Sequence, residues 1–316
     1  AGNFPAAIKT VAEWFPKKER ALATGLFNSG ANVGAIFAPL TVPLIALSMG
    51  WEWAFILTGA VGLLWLIFWI ILYEIPAKHK KLSAKELEYI NSDIDEKSSE
   101  KNEKVSWFRL LSFRQTWAFF IGKFLTDPVW WFYLFWLPSF LHKQYGMTKT
   151  DLALPIALVY TMTTFGSIFG GWLSGFLINK GWVVYKARSA AMLTFALCVI
   201  PVVSAQELGK LSPWLAIFIV GIAASAHQAW SANIFTTVSD MFPKKAVGSV
   251  TGIGGMAGAV GGILIAMLAG RLLDYYKALG SIETGYYIMF VICGLAYITA
   301  WLIFNLLVPK MKRVEI

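Results

Sequence analysis

Lys123 and Asp127 stand four residues apart in TWAFFIGKFLTDPVWWFYLFWLPSFL, a stretch that carries no other charge. At that spacing an ammonium and a carboxylate share one helix face and neutralise each other. Lysine ahead of aspartate is the less favourable order, and Pro128 interrupts the hydrogen-bond ladder beside them. The pair therefore reads either as a structural couple or as groups that exchange charge with a passing ion or substrate. A second constellation is His227, Trp230 and Ser231, which share a helix face, with Asn233 close by. An imidazole titrates near neutral pH, although a lone buried histidine that is merely hydrogen-bonded is the plainer alternative. Asn28 and Asn32, again four apart, can hold ligand hydroxyls or bond a neighbouring helix. Trp131 and Tyr133 belong to an aromatic run whose ordinary use is packing; any that face inward make flat walls with a polar tip, suited to a sugar-like ligand. Asn28, Asn32, Trp131, Tyr133, His227, Trp230, Ser231 and Asn233 are thus the candidate substrate contacts. Lys123, Asp127 and His227 are the candidate coupling groups.

The elements that must position these residues are membrane helices. Apolar residues make up 57% of the chain and charged ones 14%, against roughly a quarter charged in soluble domains. Runs of about 20 apolar residues suffice to cross the hydrocarbon, and such runs recur over 21–48, 53–73, 116–141, 152–178, 189–205, 213–240, 247–273 and 285–308, with half a span over 1–15. His227 lies about fourteen residues, or about 20 Å, from either end of its run, near the bilayer midplane. Small residues at four-residue spacings in GANVG, GSIFGGWLSG and the 252–262 run let helices approach closely. Cys198 and Cys293 sit in apolar runs and carry no disulfide or metal signal. Neither a zinc-protease HExxH nor a helix-borne aspartate pair is written, so an intramembrane enzyme is disfavoured and no catalytic residue is assigned.

Twenty basic residues fall between alternate spans and five in the opposite connections. That asymmetry predicts a multi-pass protein of the inner cell membrane with a cytoplasmic C-terminus, and assigns the +9 net charge to orientation, not to nucleic acid. The chain also matches itself at an offset of 227, where Thr10, Val11, Phe15, Pro16, Lys17, Lys18, Thr24, Gly25, Val33, Gly34 and Ile36 recur as Thr237 through Ile263. A repeat in the same membrane orientation predicts two parallel six-helix halves. Residues 1–73 are then late helix four with helices five and six, 74–113 a charged, solvated cytoplasmic linker, and 114–316 helices seven to twelve. Within the linker Ser83 and Glu86 predict a capping box on one short surface helix. On this count the chain is N-terminally truncated by on the order of 110 residues.

The FPKK junctions and the basic loop GGWLSGFLINKG (170–181) before KAR (186–188) resemble the major facilitator superfamily. Ser174 and Gly175 stand where that loop motif has its acidic residue. AGNFPAAIKTVAEWFPKKERALATG, DPVWWFYLFWLP and VSDMFPKKAVGSVTGIGGMAGAVGG are similar to its anion:cation symporter family, in the hexuronate branch. The resemblance implies an all-α six-plus-six fold and import of a sugar acid such as glucuronate or galacturonate by alternating access. It implies the proton as the coupling cation and no other cofactor, and as partners an organic anion and the lipid bilayer around a monomer. It also implies a carboxylate clamp and coupling acids on helices one and four. Another organic anion, an aldonate or a dicarboxylate, and a carrier-derived receptor remain the alternatives.

Overall fold

A computed structural model describes residues 2–92, 105–148 and 151–316, without the side chains of 39 and 40. The described residues are helices and connections. α1 (Asn3–Trp14), α2 (Lys17–Met49) and α3 (Trp51–Leu72) come first, followed by the short α4 (Ala84–Ile90) and α5 (Trp107–Leu111). α6 (Arg114–Tyr145), α7 (Ala153–Asn179), α8 (Val184–Val199), α9 (Ala205–Leu211), α10 (Pro213–Met241), α11 (Lys244–Ala278) and α12 (Ile282–Leu307) complete the bundle. A 3-10 turn, Ile200–Ser204, joins α8 to α9, so that Val184–Leu211 acts as one span.

Each expected span is present as a helix, and among the described residues six helices are long and apolar enough to cross a bilayer. α2 makes a seventh when its two parts, Lys17–Ala38 and Thr41–Met49, count as one span bent by 43°. α6 is as long, at 32 residues, but its Lys123, Asp127 and Pro128 keep composition alone from marking it. What admits those charges is burial against protein in place of lipid. α10 lies at the centre, with every residue from Ala226 to Met241 buried, and α2, α6, α7, α8 and α11 pack around it.

The glycine stripes determine how close that packing is. On α11 a Cβ at position 258 would strike the Asp127 carboxylate, and one at 261 would strike Pro128 and the Phe124 carbonyl. The bare backbone is what lets the proline-broken, charge-bearing stretch of α6 press against α11. On α7, a Cβ at 171 would strike the Ala21 carbonyl of α2, and Ser167 donates to the Gly25 carbonyl at 2.9 Å.

The two FPKK junctions come together at one end of the bundle. Arg188 donates from Nε to Asp240 at 3.0 Å, from Nη1 to Ser174 Oγ at 2.6 Å and from Nη2 to the Lys17 carbonyl at 2.7 Å. Arg20 places Nη1 3.9 Å from the other oxygen of Asp240 and bonds the carbonyls of Phe15, Ala12 and Ser239. The carboxylate absent at Ser174 and Gly175, which lie in the last turns of α7, is therefore supplied by α10, and α7 contributes a hydroxyl. The capping box at Ser83 and Glu86 forms as expected. The connection is less free than a solvated tether: Tyr89 donates to Glu19, Lys18 lies 4.7 Å from the Tyr89 ring, and Trp14 meets His79 edge-on. Residues 93–104 of that connection, like Lys149 and Ala1, lie outside the described residues.

Candidate functional site

Where α2, α6, α10 and α11 diverge around the start of α1, they enclose a cavity of about 610 Å³, large enough for a small organic molecule. α2 contributes Asn28 and Asn32, with Ala31 and Ala35 keeping the wall low between them. α6 contributes Lys123, Asp127, Trp130 and Trp131, and α10 contributes His227, Gln228, Ser231 and Phe235. α11 supplies Thr251 and a surface of glycine and small residues, and Phe4 of α1 closes one side.

The polar groups are arranged in three sets. Lys123 Nζ lies 2.7 Å from Asp127 Oδ1, with both side chains largely out of solvent, and 4.0 Å from the centre of the Phe235 ring. The intrahelical pair forms despite its unfavourable order, because leaving either largely buried charge without its partner costs more than the order does. The second set is an amide ladder from α2 to α10: Asn28 Nδ2 donates to Gln228 Oε1 at 2.7 Å, and Gln228 Nε2 donates to Asn32 Oδ1 at 3.2 Å. Both ends of Gln228 are thereby spoken for, and the Asn32 Nδ2 donor is left buried without a partner among the described residues. Third, the His227 ring stacks on Trp130 at 5.3 Å and 10°, while its Nδ1 bonds the Tyr297 hydroxyl at 2.5 Å. Tyr297 in turn reaches the Thr126 carbonyl at 3.3 Å, which ties the imidazole on α10 to the segment of α6 just ahead of Asp127.

Of the residues expected from sequence, Asn28, Asn32, Lys123, Asp127, Trp131, His227 and Ser231 meet on this cavity. Three do not. Trp230 is fully buried with its ring edge against Tyr297 at 5.6 Å, because so large a side chain fills the interior between helices. Asn233 donates to the Gly170 and Ala229 carbonyls and so fastens α10 to α7. Tyr133 is buried in the core beside Val159 and Ala224. The inward face of α10 is thus turned from the expected His227, Trp230 and Ser231 to His227, Gln228, Ser231 and Phe235. Gln228, Thr251 and Tyr297 were missed; an uncharged amide or hydroxyl within a span has no periodic signature that tells a cavity wall from a helix contact.

A model described as Major Facilitator Superfamily matches residues 1–266. The chain belongs to the Major Facilitator Superfamily. Within the superfamily it is 31% identical over 276 residues to the hexuronate transporter of Escherichia coli (strain K12), covering 87% of this chain and 63% of that protein. It is 36% identical over 174 residues to the galacturonate transporter of Dickeya chrysanthemi, covering 55% of this chain and 50% of that one. The D-galactonate transporter of Escherichia coli O6:H1 (strain CFT073) is 26% identical over 284 residues, with 87% of this chain and 65% of that protein covered. The chain therefore spans between half and two thirds of the length of these curated relatives. Among solved superfamily structures, the Escherichia coli fucose:proton symporter superposes with a TM-score of 0.63 at 16% identity, over 96% of this chain and 72% of that one. The human organic anion transporter MFSD10 gives 0.65 at 14%, over 96% and 68%. At such identities these two establish the fold alone.

Proposed function

We propose that the chain forms the substrate cavity of a secondary active carrier that imports a sugar acid, a hexuronate, together with a proton by alternating access. It belongs to the anion:cation symporter branch of the superfamily and works as a monomer in the inner membrane, with the FPKK junctions and the C-terminus facing the cytoplasm. The observation that carries this reading is the composition of one cavity wall after another. A buried ammonium held by a single carboxylate, an amide ladder with a donor to spare, and indole surfaces together fit an anion rich in hydroxyls. The names of the relatives support the same class.

Coupling follows from competition for Lys123. A substrate carboxylate that takes the ammonium leaves Asp127 buried beside Gly258 without its counterion, and the symported proton neutralises it there. His227, anchored by Tyr297 and stacked on Trp130, orients the sugar and is not required to carry the proton. The D-galactonate relative makes an aldonate the second reading. The intact protein in proteoliposomes should accumulate labelled glucuronate under an inward proton gradient, with galacturonate competing more strongly than galactonate. No accumulation of any sugar acid would sink the reading.

A further inference from the structure

Threonine hydroxyls inside helices normally bond the carbonyl three or four residues back. Thr58, Thr126, Thr161 and Thr236 do so here, at 2.7 to 2.8 Å. Thr251 does not. It lies on α11, is 1% exposed, lines the cavity, and its Oγ1 has no hydrogen-bond partner among the described residues. A buried hydroxyl left unpaired is costly, so such a group in a cavity wall points to a ligand. The internal repeat sharpens the contrast. Thr24 occupies the same place 227 residues earlier, in α2, and there the hydroxyl is met by Thr236 at 3.5 Å. One copy of the repeated threonine is used between helices, and the other stands in the cavity wall with its hydroxyl unpaired among the described residues.

The second orphan on the same cavity is Asn32 Nδ2, committed as a donor because its Oδ1 already accepts from Gln228. Asn32 stands on the α2 wall and Thr251 on the α11 wall. Gly258, whose bare backbone faces the Asp127 carboxylate, is seven residues further along α11 than Thr251, a rise of about 10 Å. A ligand whose carboxylate engages Lys123, beside Asp127, has Thr251 within reach of its other end if it extends along α11. We infer that Thr251 is a specificity-determining residue, its hydroxyl bonding a hydroxyl of the ligand at the end away from the carboxylate while Asn32 donates to a second one. This rests on the sugar-acid reading above, and it adds a contact that no helix pattern marks.

The test is equilibrium binding of labelled glucuronate to the intact purified protein, with uptake in proteoliposomes measured in parallel. Thr251→Val keeps the shape and removes the hydroxyl; the dissociation constant should rise about tenfold, the equivalent of one lost hydrogen bond to a buried group. Thr251→Ser should restore binding to within a few-fold of the parent, which a purely steric role for the γ-methyl would not allow. Thr251→Ala provides the same readout as Thr251→Val if the valine variant is poorly folded. Unaltered glucuronate affinity in a folded valine or alanine variant, or a serine variant as weak as valine, would overturn the inference and leave the carrier reading standing. A parent protein that binds no sugar acid would overturn both.

Discussion

Asp240 holds two guanidinium groups at the junction end of the bundle, and replacing it by asparagine tests whether that cluster stabilises the fold. Arg188 is wholly buried, Asp240 is 2% exposed and Arg20 is 7% exposed, with separations of 3.0 and 3.9 Å to the two carboxylate oxygens. At an effective dielectric constant near 20, a pair about 4 Å apart interacts by about 4 kcal/mol before desolvation is counted. Removing one partner of a buried pair usually costs about 3–5 kcal/mol, since the remaining charge has no counterion. Both arginines keep backbone carbonyls, Arg188 keeps Ser174, and asparagine still offers an oxygen to Arg188 Nε. Those retained acceptors place Asp240→Asn at the low end, about 3 kcal/mol. In thermal unfolding of the intact protein in detergent, followed by tryptophan fluorescence, that is a fall of about 6–12 °C at 2–4 °C per kcal/mol. Adding Arg188→Gln removes one of the orphaned charges and should recover at least about 1 kcal/mol relative to Asp240→Asn alone, a coupling that distant sites do not show. A single variant that melts within about 1 °C of the parent, or a double variant in which the two losses simply add, would refute the reasoning.

Gln228→Leu removes both rungs of the amide ladder while keeping bulk; glucuronate binding should weaken about tenfold, measured by equilibrium dialysis. Gly171→Val puts a branched side chain where the Ala21 carbonyl already stands, so α2 and α7 must separate; the variant should melt lower by several degrees and lose uptake, whereas the same change at Gly30, which faces open space, should be tolerated. The backbone N–H and then the hydroxyl of Ser83 bond the Glu86 carboxylate and hold its pKa below the ordinary 4.5. Folded α4 therefore gains from the ionised box above 4.5 and loses that gain as pH falls through the lowered value; carboxyl NMR should show Ser83→Ala, which keeps the backbone bond and loses the hydroxyl, moving Glu86 part of the way back up toward 4.5.

Hydropathy and spacing, read along the chain, determine the number and order of the helices, the half-length α1, the repeated FPKK junction and the capping box at Ser83, because each depends on neighbours a few residues away. The Lys123–Asp127 pair is legible for the same reason: both partners sit on one helix, and their spacing decides their contact. Which side of a buried helix faces a cavity is different, since α10 is surrounded and its apolar residues do not mark an outside. Its rotation is decided by where Trp230 finds room, and that brings Gln228 to the ladder and sends Asn233 to the Gly170 carbonyl. The same holds for Asp240, whose two arginines come from residues 52 and 220 positions away in the chain, and for Thr251, whose hydroxyl finds no partner among the described residues of the helices around it. Local order is written in the sequence; the partner of a polar group inside the bundle exists only once distant helices have met.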